Sequence, residues 1–247
     1  MDSPGYIILS RLALQARSTQ VLANNIANAD TPAYRNAQPI FAAYLSRQRD
    51  VPAAQGQRVA YAQDRATWRE TRAGSLQTTG NPLDVAITGD GYFAVETLRG
   101  ERYTRAGRFS AGADGRIVDA EGNAVLGTGG APINVAAGDT RIDIMADGTV
   151  RSENGTLGQL RIVRFENAQM LRAEGSRLYE SGGQEPRPVE RPALAQGAFE
   201  GSNVSPILEM TRMTAELREF QLAVQFAERE GERMQTAVER ILRRRGQ

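Results

Sequence analysis

Ser205-Pro-Ile-Leu-Glu-Met210-Thr-Arg-Met213-Thr-Ala-Glu-Leu217-Arg-Glu-Phe220-Gln-Leu-Ala-Val224 opens the stretch that decides how this chain is built. Met210, Met213, Leu217, Phe220, Val224, Ala227, Gly231, Met234, Val238 and Ile241 recur at alternating spacings of three and four. That is an apolar seam of more than four heptads with no charge in it, flanked by charged positions. One strong stripe on a long helix is the pattern of a helix that meets another helix. Ser205-Pro206 supplies its start, since a cap followed by proline in the first turn loses no hydrogen bond. Gly231 is its weak point, at a cost of about 1 kcal/mol against alanine. The terminal Arg243-Arg-Arg245 complements the helix dipole.

The other terminus repeats the design. Ser3-Pro4 begins a helix predicted to run to about Ala29, with Ile8, Leu12, Gln15, Thr19, Leu22 and Ile26 on a 4-3-4-3-4 seam. Asp30-Thr31-Pro32 ends it, because the residue before proline is pushed out of the helical region. Its apolar residues are interrupted by Arg11, Gln15, Arg17 and Gln20, so the segment reads as neither a cleaved secretory signal nor a membrane span.

Between the helices the texture changes to short β-rich runs punctuated by turns. Asp114-Gly115, Glu121-Gly122, Asp147-Gly148 and Asn154-Gly155 are hairpin-type dipeptides. The predicted fold is a mainly β central domain of short antiparallel strands plus an α-helical, coiled-coil-like domain made by the two terminal helices. Its divisions are 1–32 with 205–247 as the helical part, 33–66 as an extended connector, and 67–204 as the β domain, with a second connector at 183–204.

Composition removes most chemistry. The 247 residues include no Cys and no His, which excludes disulfides, thiol or histidine catalysis and the common zinc sites. The 30 basic residues, all arginine, nearly cancel 29 acidic ones, so no global field points to nucleic acid. The expectation is no enzyme activity, no cofactor and no metal.

Three local motifs are weighed and set aside. Gly89-Asp-Gly91-Tyr-Phe-Ala94 has dinucleotide-fingerprint spacing, but it leads into a strand-like run rather than the helix that would hold a pyrophosphate. Asp114-Gly115 with Glu121 copies half an EF-hand loop and lacks its first acidic ligands. Arg102, Arg105 and Arg108 beside Tyr103 and Phe109 would alternate between strand faces, and are read as interface or solvated arginines.

Asn24-Asn-Ile-Ala-Asn-Ala-Asp-Thr-Pro-Ala-Tyr-Arg35 resembles the N-terminal signature of the flagellar rod, hook and hook-associated family. Ala33 stands where glycine is usual, which argues against a sharp left-handed turn there. Gly201-Ser-Asn-Val-Ser-Pro-Ile-Leu-Glu-Met210 is similar to the family's C-terminal signature, with Ser205 in place of Asn or Asp. Gly80–Val95 and Tyr103–Phe109 resemble its β-domain signatures. The length and the opening Tyr6…Leu14 are most similar to a proximal-rod subunit; a distal-rod or short hook-type subunit is the alternative, as is a non-flagellar binding module dimerised by its helices. The resemblance implies a structural subunit in the basal-body rod across the periplasm, assembled with itself and other proximal and distal rod subunits. It also implies passage through the flagellar type III export apparatus, with no nucleic-acid partner and no membrane insertion. The expected assembly interface is Ile8, Leu12, Leu22, Asn24, Asn25, Ile26, Asn28, Ser202, Asn203, Val204, Met210, Met213, Leu217, Phe220, Val224, Ala227, Met234, Val238 and Ile241. The three asparagines, poor helix formers, are expected to hydrogen-bond between neighbouring subunits.

Overall fold

Two proline-led starts and one proline-led stop set the helices of the computed structural model, which describes residues 3–47, 58–136, 138–175 and 177–245. Helix α1 spans Ser3–Ala27 and α2 spans Pro206–Arg245. α1 stops two residues short of the expected Ala29. Thr31 explains this: its N–H donates to the Asn28 carbonyl at 3.1 Å and its hydroxyl to Asn28 Oδ1 at 3.1 Å, closing a turn that competes with the helix. Among the described residues no helix is long and apolar enough to cross a membrane.

Most of 33–66 is not a bare connector. β1 (Ala37–Arg47) and β2 (Arg58–Arg69) pair with one another in a two-stranded sheet. The chain divides into two compact units. Unit 1 holds 1–26, 37–68 and 205–247; unit 2 holds 27–36 and 69–204.

Within unit 1, three polar pairs tie α1 to α2: Asn25 to Glu209 at 3.3 Å, Ser18 to Glu216 at 3.1 Å and Arg11 to Glu219 at 3.5 Å. Residue numbers fall along α1 as they rise along α2, so the helices run antiparallel. Arg17 reaches β2, donating to Asp64 at 3.3 Å and Thr67 at 3.4 Å.

Unit 2 is built of short strands. In order they are β3 (Leu76–Thr78), β4 (Val85–Ile87), β5 (Tyr92–Thr97), β6 (Gly100–Thr104), β7 (Ser110–Ala111), β8 (Ile117–Val118) and β9 (Ala124–Val125). Then come β10 (Ile142–Ile144), β11 (Thr149–Ser152), β12 (Gly155–Gln159), β13 (Ile162–Arg164), β14 (Arg172–Glu174) and β15 (Leu178–Glu180). β16 (Arg187–Pro188), β17 (Leu194–Gln196) and β18 (Ala198–Glu200) follow. All four turn dipeptides lie at strand junctions, with Gly115, Gly122, Gly148 and Gly155 at positive φ. The largest sheet runs β14-β15-β6-β5-β9-β8-β7, with β13 joining β5 to β16.

β5 is its central strand and its alternation builds the core. Phe93 and Val95 enter one apolar cluster with Val85, Ile117, Val125 and Val150, while Ala94 enters the other with Tyr103, Val163 and Tyr179. Period-two side chains buried on both faces mark a strand covered on both sides. Gly107 is required here, because a Cβ on it would overlap the Val85 carbonyl. β17 pairs with β4 and β18 with β3, so the chain leaves unit 2 beside its start.

The aromatic cluster carries a pH signature. Tyr92 and Tyr179 meet edge-to-face at 5.7 Å, and Tyr103 meets Phe165 at 4.8 Å. Burial pushes all three phenols up, Tyr179 to about 12, and the Glu101 carboxylate adds to the rise at Tyr103. A raised phenol keeps its proton in the fold and loses it near pH 10 when unfolded. Stability is therefore complete below about pH 10 and lost as pH climbs toward about 12. Tyrosinate absorbance should rise together with loss of circular dichroism in that window, and Tyr179→Phe should soften the loss. Full ionisation near pH 10 with the fold intact would refute it.

Candidate assembly interface

The two terminal signatures meet, and they meet in both units. In unit 1, Asn25 is buried on α1; its amide donates to the Ala37 carbonyl at 2.8 Å and to Glu209 at 3.3 Å, and its Oδ1 accepts from Ala37 N–H at 3.0 Å. The side chain stands in for a strand partner and fixes how β1 leaves the helix. Glu209, buried in the first turn of α2, also takes a 3.1 Å hydrogen bond from Arg212. A carboxylate there suits the positive end of the helix.

In unit 2, Asn203 Oδ1 accepts from Asn36 N–H at 2.6 Å, while its amide donates to the Arg72 carbonyl at 2.9 Å. Its own N–H donates to the Tyr34 carbonyl at 3.2 Å. Ser202 accepts from Val204 N–H at 3.2 Å. Beside them Glu200, 1% exposed, receives Arg35 at 2.8 Å and Arg105 at 2.8 Å. Arg105 spends its other donors on the carbonyls of Ile87, Gly89 and Gly91. The reading of Arg105 as an interface or solvated arginine is therefore corrected: it is a buried ion-pair partner. Burial, with Arg105 nearby, holds the Arg35 guanidinium below its usual range against the opposing pull of Glu200.

Ala33 gives a second correction. It sits at φ 58, donating its N–H to the Glu200 carbonyl at 2.8 Å, so the left-handed turn persists without glycine. An L side chain pays about 1–2 kcal/mol there, offset in part by the extra unfolded-state entropy of glycine, about 0.4–1 kcal/mol. Ala33→Gly should therefore raise the melting temperature of unit 2 slightly; a drop by calorimetry would show that the Ala33 methyl packs more usefully than this balance allows.

The seam residues divide by burial. Leu22 and Val204 are buried; Ile8, Leu12, Ile26 and Asn28 are half-buried, and Asn24 is exposed. On α2, Met213, Phe220, Val224 and Ala227 are half-buried. Met210, Leu217 and Met234 keep 54%, 43% and 44% of their surface in water. The side chains of Val238 and Ile241 lie outside the described residues. Asn25, Ser202 and Asn203 make their hydrogen bonds within the chain, whereas an intersubunit role had been expected for the helix asparagines. Glu200, Arg105 and Glu216 were missed as site residues; the first two carry no periodic signal, because they meet only once the strands pair. The Gly89–Ala94 segment leads from β4 into β5, so its loop opens a strand and not a helix.

Residues 6–35 match the family described as "Flagella basal body rod protein", residues 86–152 the "Flagellar hook protein FlgE/F/G D1 domain", and residues 195–240 the "Flagellar basal body rod FlgEFG protein C-terminal". The flagellar basal-body rod protein FlgF of Mesorhizobium japonicum is 34% identical over 226 residues, 90% of each chain. FlgF of Caulobacter vibrioides is 30% identical over 245 residues, 98% of each chain. The rod protein FlgG of Bacillus subtilis is 31% identical over 225 residues, 81% of this chain and 84% of its own.

Proposed function

The chain belongs to the flagellar basal-body rod protein family, and we propose that it is a structural subunit of the proximal rod, polymerised through its two terminal helices. Its place is the flagellar basal body. The carrying observation is the apolar surface that α2 leaves in water, Met210, Leu217, Leu222, Phe226 and Met234 being 43% to 66% exposed, since large apolar side chains exposed along one helix mark a surface that another chain covers. The proximal assignment rests on FlgF relatives, four of which align with 90% or more of both chains. Its neighbours on this reading are copies of itself and other rod subunits, and it reaches them through the flagellar export apparatus. The reading gives the chain no catalytic role, in keeping with a sequence that lacks histidine and cysteine.

Deleting the gene and purifying basal bodies tests it. The deletion strain should be non-motile with rods that stop short, and the complemented strain should carry the chain in its basal bodies. Swimming by the deletion strain, or basal bodies that lack the chain after complementation, would defeat the proposal.

A further inference from the structure

Unit 1 has a groove of about 350 Å³ where α1, α2 and β1 come together. Val21, Leu22, Pro39 and Phe41 give it an apolar floor. Its α2 wall carries Glu209, Glu216 and Glu219 against a single cation, Arg212. Glu209 is committed to Asn25 and Arg212, whereas Glu216, half-buried, accepts from the Ser18 hydroxyl, and Glu219 makes a 3.5 Å pair with Arg11 in which the two side chains are 60% and 62% exposed. Such an exposed pair is weak and exchangeable.

The same helix ends on the opposite charge. Arg240 and Arg243 are exposed, and among the described residues neither has an ion-pair partner. They stand three residues apart, as Glu216 and Glu219 do, so the two pairs present matched spacing on one helical turn. Within one chain they cannot meet: the 27 residues from Glu216 to Arg243 span about 40 Å of continuous helix.

We propose that the groove of one subunit receives the basic C-terminal end of α2 from a second copy of this chain, Arg240 and Arg243 pairing with Glu216 and Glu219. This rests on the rod reading and adds to it the segment that docks and the surface that takes it. Donor and acceptor are different patches, so copies join head-to-tail in a contact that continues from copy to copy, as a rod requires. Reciprocal docking of two antiparallel α2 helices would instead close a two-fold dimer and give cross-linked dimers without a ladder, which would overturn the head-to-tail arrangement.

The absence of native cysteine makes the test clean. Cells carrying only the Ala215→Cys/Glu239→Cys chain supply basal bodies for treatment with a short bismaleimide. The expected result is a ladder of cross-linked copies, missing from both single-cysteine variants. If the chain is present in basal bodies yet stays monomeric, or if the groove cysteine captures a different protein, the docking is wrong and the rod reading stands. If the native chain is missing from basal bodies, the rod reading falls and the docking with it. Charge exchange is the second arm and needs no cysteine. Glu219→Arg and Arg243→Glu should each cut swim-zone diameter at least twofold, and the combined variant should recover most of it. A combined variant no better than the worse single one overturns the pairing.

Discussion

Replacing Glu200 by alanine should destabilise unit 2 by about 3–5 kcal/mol, a fall of roughly 6–20 °C in its melting temperature. Glu200 is 1% exposed and is the carboxylate between two buried guanidinium groups, Arg35 and Arg105, each at 2.8 Å. It also accepts the Gly74 N–H at 3.1 Å. Alanine would leave two buried cations facing each other and an amide without its acceptor. The desolvation already paid for all three groups is what makes removal of one partner so costly. Arg105 should not simply swing out, because its donors hold the Ile87, Gly89 and Gly91 carbonyls at the turn into β5. Arg108→Ala is the comparison: that side chain lies over the Phe199 ring at 5.0 Å, and its loss should cost no more than about 1 kcal/mol. Calorimetry giving Glu200→Ala the same small loss would show that the triad does not hold unit 2 together.

The contrast between these two arginines shows what a sequence can and cannot reveal. Helix α2 was legible to its first residue because seam, cap and proline act locally, and a long period is hard to produce by chance. The four turn dipeptides were legible for the same reason: the demand for positive φ is met or refused by one glycine. β1 and β2 were not, because their residues lack strict alternation and pairing needs a partner strand that is distant in the chain. Arg105 and Arg108 sit in one short motif with the same side chain, yet the first is buried and the second lies over a ring. What separates them is the arrival of Glu200, 95 residues later, on β18. The signature residues failed in a different way. Asn25 and Asn203 make hydrogen bonds to backbone inside the chain, and a helix asparagine such as Asn25 reads equally as an external or an internal donor until β1 is in place. Ala33 misled because sterics make a left-handed alanine uncommon without forbidding it.

Val224→Asp should abolish rod assembly and motility while leaving the melting of unit 2 unchanged. Val224 lies on α2 between Phe220 and Ala227, and in the single chain all three are half-buried. Neighbouring Leu217 remains 43% exposed, so the row has apolar surface still to cover. In the free subunit an aspartate at 224 keeps part of its contact with water, and the change costs little. Once a neighbouring helix closes over the row, the same carboxylate is desolvated without a partner, at a cost of several kcal/mol per subunit. Neutralisation is its only escape, and at neutral pH that too works against assembly. The fault recurs in every copy, so a polymer has no way around it, whereas a two-chain contact would only weaken. Glu228→Gln, on an exposed position of the same helix, should swim normally and separates burial from any general effect of altering α2. Export is read from secreted chain, assembly from basal-body composition, and folding from the melting of unit 2. Cells that still swim with Val224→Asp, or a unit 2 that melts early, would mean that α2 is not the element through which the subunits join.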